Sequence, residues 1–170
     1  MNKILLIATL LIISLGASAQ RFAYVDTKYI LDNIPEYESA QKQLNIITTE
    51  WQDEIEALYT DIEKLYKEYE VEKVILSDEL KRKREEEILA KEKEVKELQK
   101  KYFGTNGELF MKRQELIKPI QDNVFNAVKE IGENGNYAVI FDVASGMGIL
   151  FNDPKYDKSY EVLEKLGYQN

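Results

Sequence analysis

Between Tyr37 and Ile131 apolar side chains recur every seven residues. Trp51, Leu58 and Leu65 form one column. Ile55, Ile62 and Tyr69 form a second that interleaves with it at spacings of four and three. That is the seam of a coiled coil, and it predicts a long helix. Further along, Ile88, Val95, Tyr102, Leu109 and Leu116 make another seven-residue column. Between the two arms lies Val74-Ile75-Leu76-Ser77-Asp78-Glu79-Leu80, where Ser77 or Asp78 caps a new helix with acids in its first turn. The spacing therefore predicts a long antiparallel coiled-coil α-hairpin over residues 37–131.

Gly104-Thr105-Asn106-Gly107 interrupts the ascending arm. Two glycines inside a helix cost about 1 kcal/mol each against alanine. Yet the apolar column keeps its phase across them, and so does a second one, Phe103, Phe110, Ile117 and Val124. The pattern predicts a continuous but weakened helix, with Gly104 and Gly107 as hinge candidates. Pro119 is a further hinge candidate, because it removes a backbone donor and kinks a helix. Lys91 and Lys96 sit where a rigid coiled coil prefers apolar residues, which thins the ascending seam. Tyr59 and Tyr66 form a third column beside the seam.

The two ends of the chain read as β structure with short helices. Phe22-Ala23-Tyr24-Val25-Asp26 is a short strand, Thr27 to Asn33 a short helical turn, and Pro35 suits the first turn of the next helix. Gly132 and Gly135 end the hairpin. Tyr137 to Asp142 is a second strand, Ala144 to Gly148 a hairpin turn, and Ile149-Leu150-Phe151 a third strand stopped by Pro154. Tyr160 to Leu166 is a short amphipathic helix closed by Gly167. The expected fold class is α+β, with a body from 20–36 and 132–170 carrying the helical arm. Three short strands cannot cover their own edges, and a thin hairpin has little core. Strands of several chains are therefore expected to join, and a closed barrel would remove the edges. Body candidates are Phe22, Tyr24 and Val25 from the first strand and Val139, Ile140 and Phe141 from the second. Ile149 and Phe151 come from the third.

The first residues, Met1-Asn2-Lys3, an apolar run Ile4 to Gly16 and Ala17-Ser18-Ala19, read as a secretory signal peptide cut after Ala19. The apolar run is too short for a typical span of about 20 residues, so no stable membrane insertion is expected after cleavage. Of 23 basic and 31 acidic residues, the signal removes only Lys3, leaving 22 against 31 and a net charge of −9. An acidic chain of this kind is a poor ligand for nucleic-acid phosphates. Absence of cysteine excludes disulfides and thiolate metal sites, and absence of histidine removes the commonest base and metal ligand. No catalytic constellation and no phosphate-cradling glycine loop is present, so neither an enzyme nor a cofactor is expected. Acid pairs such as Asp53 and Glu54 are a solvated helix face.

Strand, long hairpin, two strands and short helix behind a signal peptide resemble the Skp/OmpH family of periplasmic chaperones. The marks are Tyr24-Val25-Asp26, Ala40-Gln41-Lys42-Gln43-Leu44, Leu116-Ile117-Lys118-Pro119-Ile120, Tyr137 to Asp142, Phe151-Asn152-Asp153-Pro154 and Val162-Leu163. The resemblance implies a homotrimer with a small β-barrel body and three helical tentacles around a cavity. It also implies ATP-independent holding of unfolded outer-membrane proteins in the periplasm. Well-known members are strongly basic, whereas this chain is acidic. Candidates for contact with such clients are Tyr59, Tyr66, Phe103 and Phe110, each of which also has a reading as hairpin core. The alternative function is a structural or adaptor coiled coil of the envelope without unfolded clients.

Overall fold

The computed structural model describes residues 21–146 and 148–168. The expected signal peptide lies outside the described residues, as does Met147 of the expected turn. The described residues divide into two compact units, one holding 34–122 and the other the described residues before and after it.

The first unit is the hairpin. Helix α2 runs unbroken over Pro35–Glu72, 38 residues, with Pro35 in the opening turn where it removes no helical hydrogen bond. Helix α3 follows over Asp78–Phe103. Ser77 caps it, its hydroxyl accepting the Leu80 N–H at 3.4 Å, with Asp78 and Glu79 in the first turn and Lys100 and Lys101 in the last. These charges complement the helix dipole at both ends. The long helix α2 packs against α3 and then against α4, Glu108–Leu116.

Two separate cores hold these helices together. In the distal one Ile55 and Ile62 of α2 meet Ile88, Val95 and Tyr102 of α3, flanked by Trp51, Leu58, Leu65 and Tyr69. These are the expected columns. In the proximal core Ala40 and Leu44 meet Ile117, flanked by Tyr37, Leu109, Leu116 and Ile120. Between Leu44 and Trp51 no side chain of α2 is buried, and Thr48 turns its hydroxyl back to the Leu44 carbonyl at 2.7 Å.

The gap falls beside a break that corrects the expectation of a continuous helix. Helix α3 stops at Phe103. Gly104 and Gly107 both adopt extended backbone, joined by a turn in which Gly107 N–H donates to the Gly104 carbonyl at 2.8 Å. A Cβ on Gly104 would lie 2.3 Å from the Lys100 carbonyl oxygen, and one on Gly107 would lie 2.7 Å from the Lys101 and Tyr102 oxygens. The Lys101–Glu108 ion pair at 3.3 Å spans the turn. Phase survives because Tyr102 and Leu109 both face α2, so the partner helix sets the column rather than continuity of the helix that carries it. A second joint lies at Ile117, after which α5 runs over Lys118–Asn134 with Pro119 in its first turn.

The second unit is built on β1, Arg21–Val25, and β2, Tyr137–Asp142. They pair in parallel, Phe22 opposite Val139, Ala23 opposite Ile140, Tyr24 opposite Phe141 and Val25 opposite Asp142. Helix α1, Thr27–Asp32, is capped by Asp26 and packs against α6, Ser159–Lys165. Ala23, Tyr24, Val25, Ile30, Val162 and Leu163 are buried here, as are Val124, Ala127 and Ile131 of α5. Ser159, a buried polar residue, accepts the Asp26 N–H at 2.8 Å and donates to Asp157 at 2.6 Å.

Three expectations are corrected in this unit. Among the described residues no third strand forms. Residues 149–151 pair with nothing within the chain, and Phe151 is 83% exposed. The expected β-turn is instead a short 3₁₀ segment, Val143–Ser145, capped by the Asp142 carboxylate, which accepts the Ala144 N–H at 3.0 Å. That carboxylate also accepts from Thr27, at 3.2 Å from the amide and 2.8 Å from the hydroxyl, so β2 is tied back to the start of α1 rather than leading into a hairpin. Gly132 does not end its helix either. It lies inside α5, with Ile140 against the space a Cβ would take, and the chain leaves the helix at Gly135 and Asn136.

Gly104→Ala must displace the Lys100 carbonyl. It is expected to lower stability by about 1–3 kcal/mol, the usual cost of overpacking, read from urea denaturation followed by circular dichroism. An unchanged or stabilised variant would show that the break is not needed.

Candidate functional site

The four candidate contact residues do not form one surface. Tyr59 and Tyr66 lie two turns apart on α2, each 42% exposed. Phe103, the last residue of α3, is partly buried and packs on the distal core. Phe110 is exposed on α4, beyond the break. The structure brings two of the four together. Tyr59 and Phe103 line a depression of about 370 Å³, with Ile55 and Glu56 of α2 and the side chains of Gln52 and Gln99 completing it.

An aromatic cluster underlies that depression. The Trp51 ring stacks on Tyr102 at a centroid distance of 4.5 Å and an interplanar angle of 5°. Phe103 meets both edge-on, at 6.2 Å from Trp51 and 6.3 Å from Tyr102. Such offset and edge contacts satisfy the ring quadrupoles. Phe103 thus belongs both to the core and to the floor of the depression. Each reading of this residue captures one side of it.

The tyrosines have a structural role that the heptad pattern does not reveal. Their hydroxyls reach across from one helix to the other. Tyr66 donates to Glu92 at 3.0 Å, Tyr102 donates to Glu54 at 2.8 Å, and Tyr69 donates to Glu85. Tyr59 makes the loosest of these rungs, 3.5 Å to the Gln99 side-chain oxygen. Carboxylates beside the phenols favour the neutral hydroxyl. The hydrogen bond to Glu85 pushes Tyr69 up to about 12, and those to Glu92 and Glu54 raise Tyr66 and Tyr102 from the ordinary 10.0. A tyrosine in a seam column with a glutamate facing it is the signal that would have disclosed this lacing.

The body candidates divide by burial. Tyr24 and Val25 are core of their own unit, and burial, aided by Asp157 and Asp153, raises the Tyr24 phenol. Phe22, Val139, Phe141, Ile149 and Phe151 are exposed, and Ile140 is half-buried. Phe22 stacks on Phe141 at 6.5 Å. These two rings join Tyr24, Ile149, Phe151 and Tyr156 around an open groove of about 810 Å³. Among the described residues no helix is long and apolar enough to cross a membrane, and no group of three acidic side chains could hold a metal ion.

A short two-stranded sheet joined to a long helical hairpin defines the class of protein. The family described as "Outer membrane protein (OmpH-like)" matches residues 21–166, and the chain belongs to that family. The fold is similar to the crystal structure of an OmpH-like protein from Caulobacter crescentus, described as a putative outer membrane chaperone. The two share 11% identity at a TM-score of 0.67, over 89% of this chain and 86% of that one. No match emerges among curated protein sequences.

The tyrosine lacing fixes a pH dependence. Phenols whose pKa is raised on folding contribute stability that is full below about pH 10. It is lost as pH rises through the folded value, about 12 for Tyr69. Alkaline titration followed by Trp51 fluorescence should therefore show the arm loosening from about pH 10 upward. A Tyr66→Phe/Tyr69→Phe/Tyr102→Phe variant should lose less stability across that window than the parent. An equal loss would assign the effect to lysines instead.

Proposed function

We propose that the chain is an ATP-independent holdase of the periplasm. It would keep unfolded outer-membrane proteins from aggregating within a space bounded by helical arms. Membership of the OmpH-like family supports the class. The observation that carries the mechanism is the partly filled arm. One 38-residue helix is held to shorter partners by two separate cores, with Tyr59, Tyr66 and Phe110 left exposed and Phe103 half-covered. Loose capture of many apolar segments requires scattered aromatic contacts of this kind rather than one deep pocket. The break at Gly104–Gly107 and the joint before Pro119 supply the points at which such an arm flexes.

The body supports assembly as a homotrimer. Phe22, Val139 and Phe141 on the open two-stranded sheet, and Leu150 and Phe151 in the unpaired segment that follows it, expose large apolar side chains. Surfaces of that kind mark an interface between chains. The acidic composition, −9 after loss of the signal, sets this chain apart from basic members and argues against tight binding of anionic lipid.

Two measurements test the reading. Solution mass is expected to be that of three copies, and Phe22→Asp is expected to lower it; a monomeric parent protein would overturn the cage. An equimolar amount of folded protein should suppress aggregation of a β-barrel membrane protein diluted from urea. A folded trimer that suppresses nothing would favour the adaptor function.

A further inference from the structure

We propose that the depression between α2 and α3 is a docking site for an extended, unfolded polypeptide segment in which an apolar side chain is flanked by lysine or arginine. The inference rests on the holdase reading and names the kind of client segment that this arm prefers.

Three features of the depression point to that occupant. Its floor is apolar, made by Ile55, Tyr59 and Phe103, and it is open to solvent beside the Trp51–Tyr102 stack. Its rim carries two side-chain amides. Gln52 has no hydrogen-bond partner, and Gln99 has only the Tyr59 hydroxyl at 3.5 Å. Amides with spare donors and acceptors pair with any peptide backbone, so they suit an extended chain of arbitrary sequence. The Tyr59 rung is also the weakest of the series, against 3.0 Å at Tyr66 and 2.8 Å at Tyr102, so this is where a segment can enter with least loss.

Charge supplies the selectivity. From Glu50 to Asp61 helix α2 carries Glu50, Asp53, Glu54, Glu56 and Asp61 and no basic residue. None of these five carboxylates is in an ion pair, whereas Glu38, Glu63 and Glu70 elsewhere on the same helix each hold a lysine. On the facing helix, between Glu92 and Phe103, Lys93, Lys96, Lys100 and Lys101 stand against Glu92, Glu94 and Glu97, and Lys101 is taken up by its ion pair with Glu108. Of the five, Glu56 lines the depression, and among its lining residues that carboxylate is the single charged group, with no cationic side chain beside it. A field of one sign over a low-dielectric floor raises the local concentration of cationic partners and repels anionic ones.

The test uses two labelled peptides with the same aromatic and aliphatic centre, one flanked by lysines and the other by glutamates. Each is titrated against the full-length folded protein by fluorescence anisotropy. Trp51 emission gives a second readout, since Trp51 touches Phe103 on the depression floor. The lysine-flanked peptide should bind about tenfold more tightly at low salt. The difference should close at about 1 M salt, where charges are screened beyond ~3 Å. Asp53→Asn/Glu56→Gln should reduce the preference several-fold without changing helix content, and Tyr59→Ala should weaken both peptides. Equal or tighter binding of the glutamate-flanked peptide, or no binding of either, would overturn the proposal. Suppression of aggregation without a charge preference would leave the holdase function standing and remove this inference. A charge preference without suppression would do the reverse.

Discussion

The arm exists because α2 and α3 bury each other's apolar stripe. Their lysines and glutamates are good helix formers, yet helical stability in water comes mainly from the face that packs. Val95, 2% exposed, and its neighbours Ile62 and Ile88 are the innermost part of that seam. Everything outward of it is conditional on it. The aromatic stack at Trp51, the tyrosine rungs and the depression beside Tyr59 all require the two helices to stay in register. A thin seam leaves few side chains to spare, so hydroxyl-to-carboxylate bonds take over at its margins, where solvent would otherwise enter.

The long-period features of the chain were legible in its sequence, and the local ones were not. Seven-residue columns identify the hairpin and its core, since burial along a helix leaves a repeating mark. The cap at Ser77 and the helix start at Pro35 follow from the chemistry of single residues. The break at Gly104 was misread because phase reports which side faces α2, and two helices packed on one long partner share that side. The third strand was misread because Ile149-Leu150-Phe151 has the composition of a strand but no partner within the chain, and pairing depends on neighbours that a single sequence does not display. Tyr59 and Phe103 could be singled out as exposed or half-exposed aromatics. Gln52 and Gln99, which share their depression, could not, because a glutamine on a solvated face carries no periodic signal.

Charge and flexibility meet at one level of the arm. The stretch of α2 between Leu44 and Trp51 lies between the two cores with no buried side chain of its own, and the glycine turn separates the helices that form them. The uncompensated acids begin in the same stretch. A segment of helix with little core beneath it and unbalanced charge upon it is held in place by its ends rather than by its own contacts. Local stability is lowest where buried apolar contacts are fewest. This part of the arm can therefore adapt to what it touches while the distal core keeps its shape.

The parallel pairing of β1 with β2 governs the order in which the molecule can be completed. Arg21 and Tyr137 are 116 residues apart, and the whole hairpin lies between them. Ordering two distant strands across so long an interval is costly in chain entropy unless the interval has already compacted. The hairpin, whose contacts are nearer in sequence, can form first and shorten the path. Even then β1 has no strand partner until residue 142 is available. A chain emerging from its N-terminus therefore carries β1 unpaired until almost all of its length has passed. The exposed apolar side chains of that sheet, Phe22, Val139 and Phe141, are therefore brought together only after the arm.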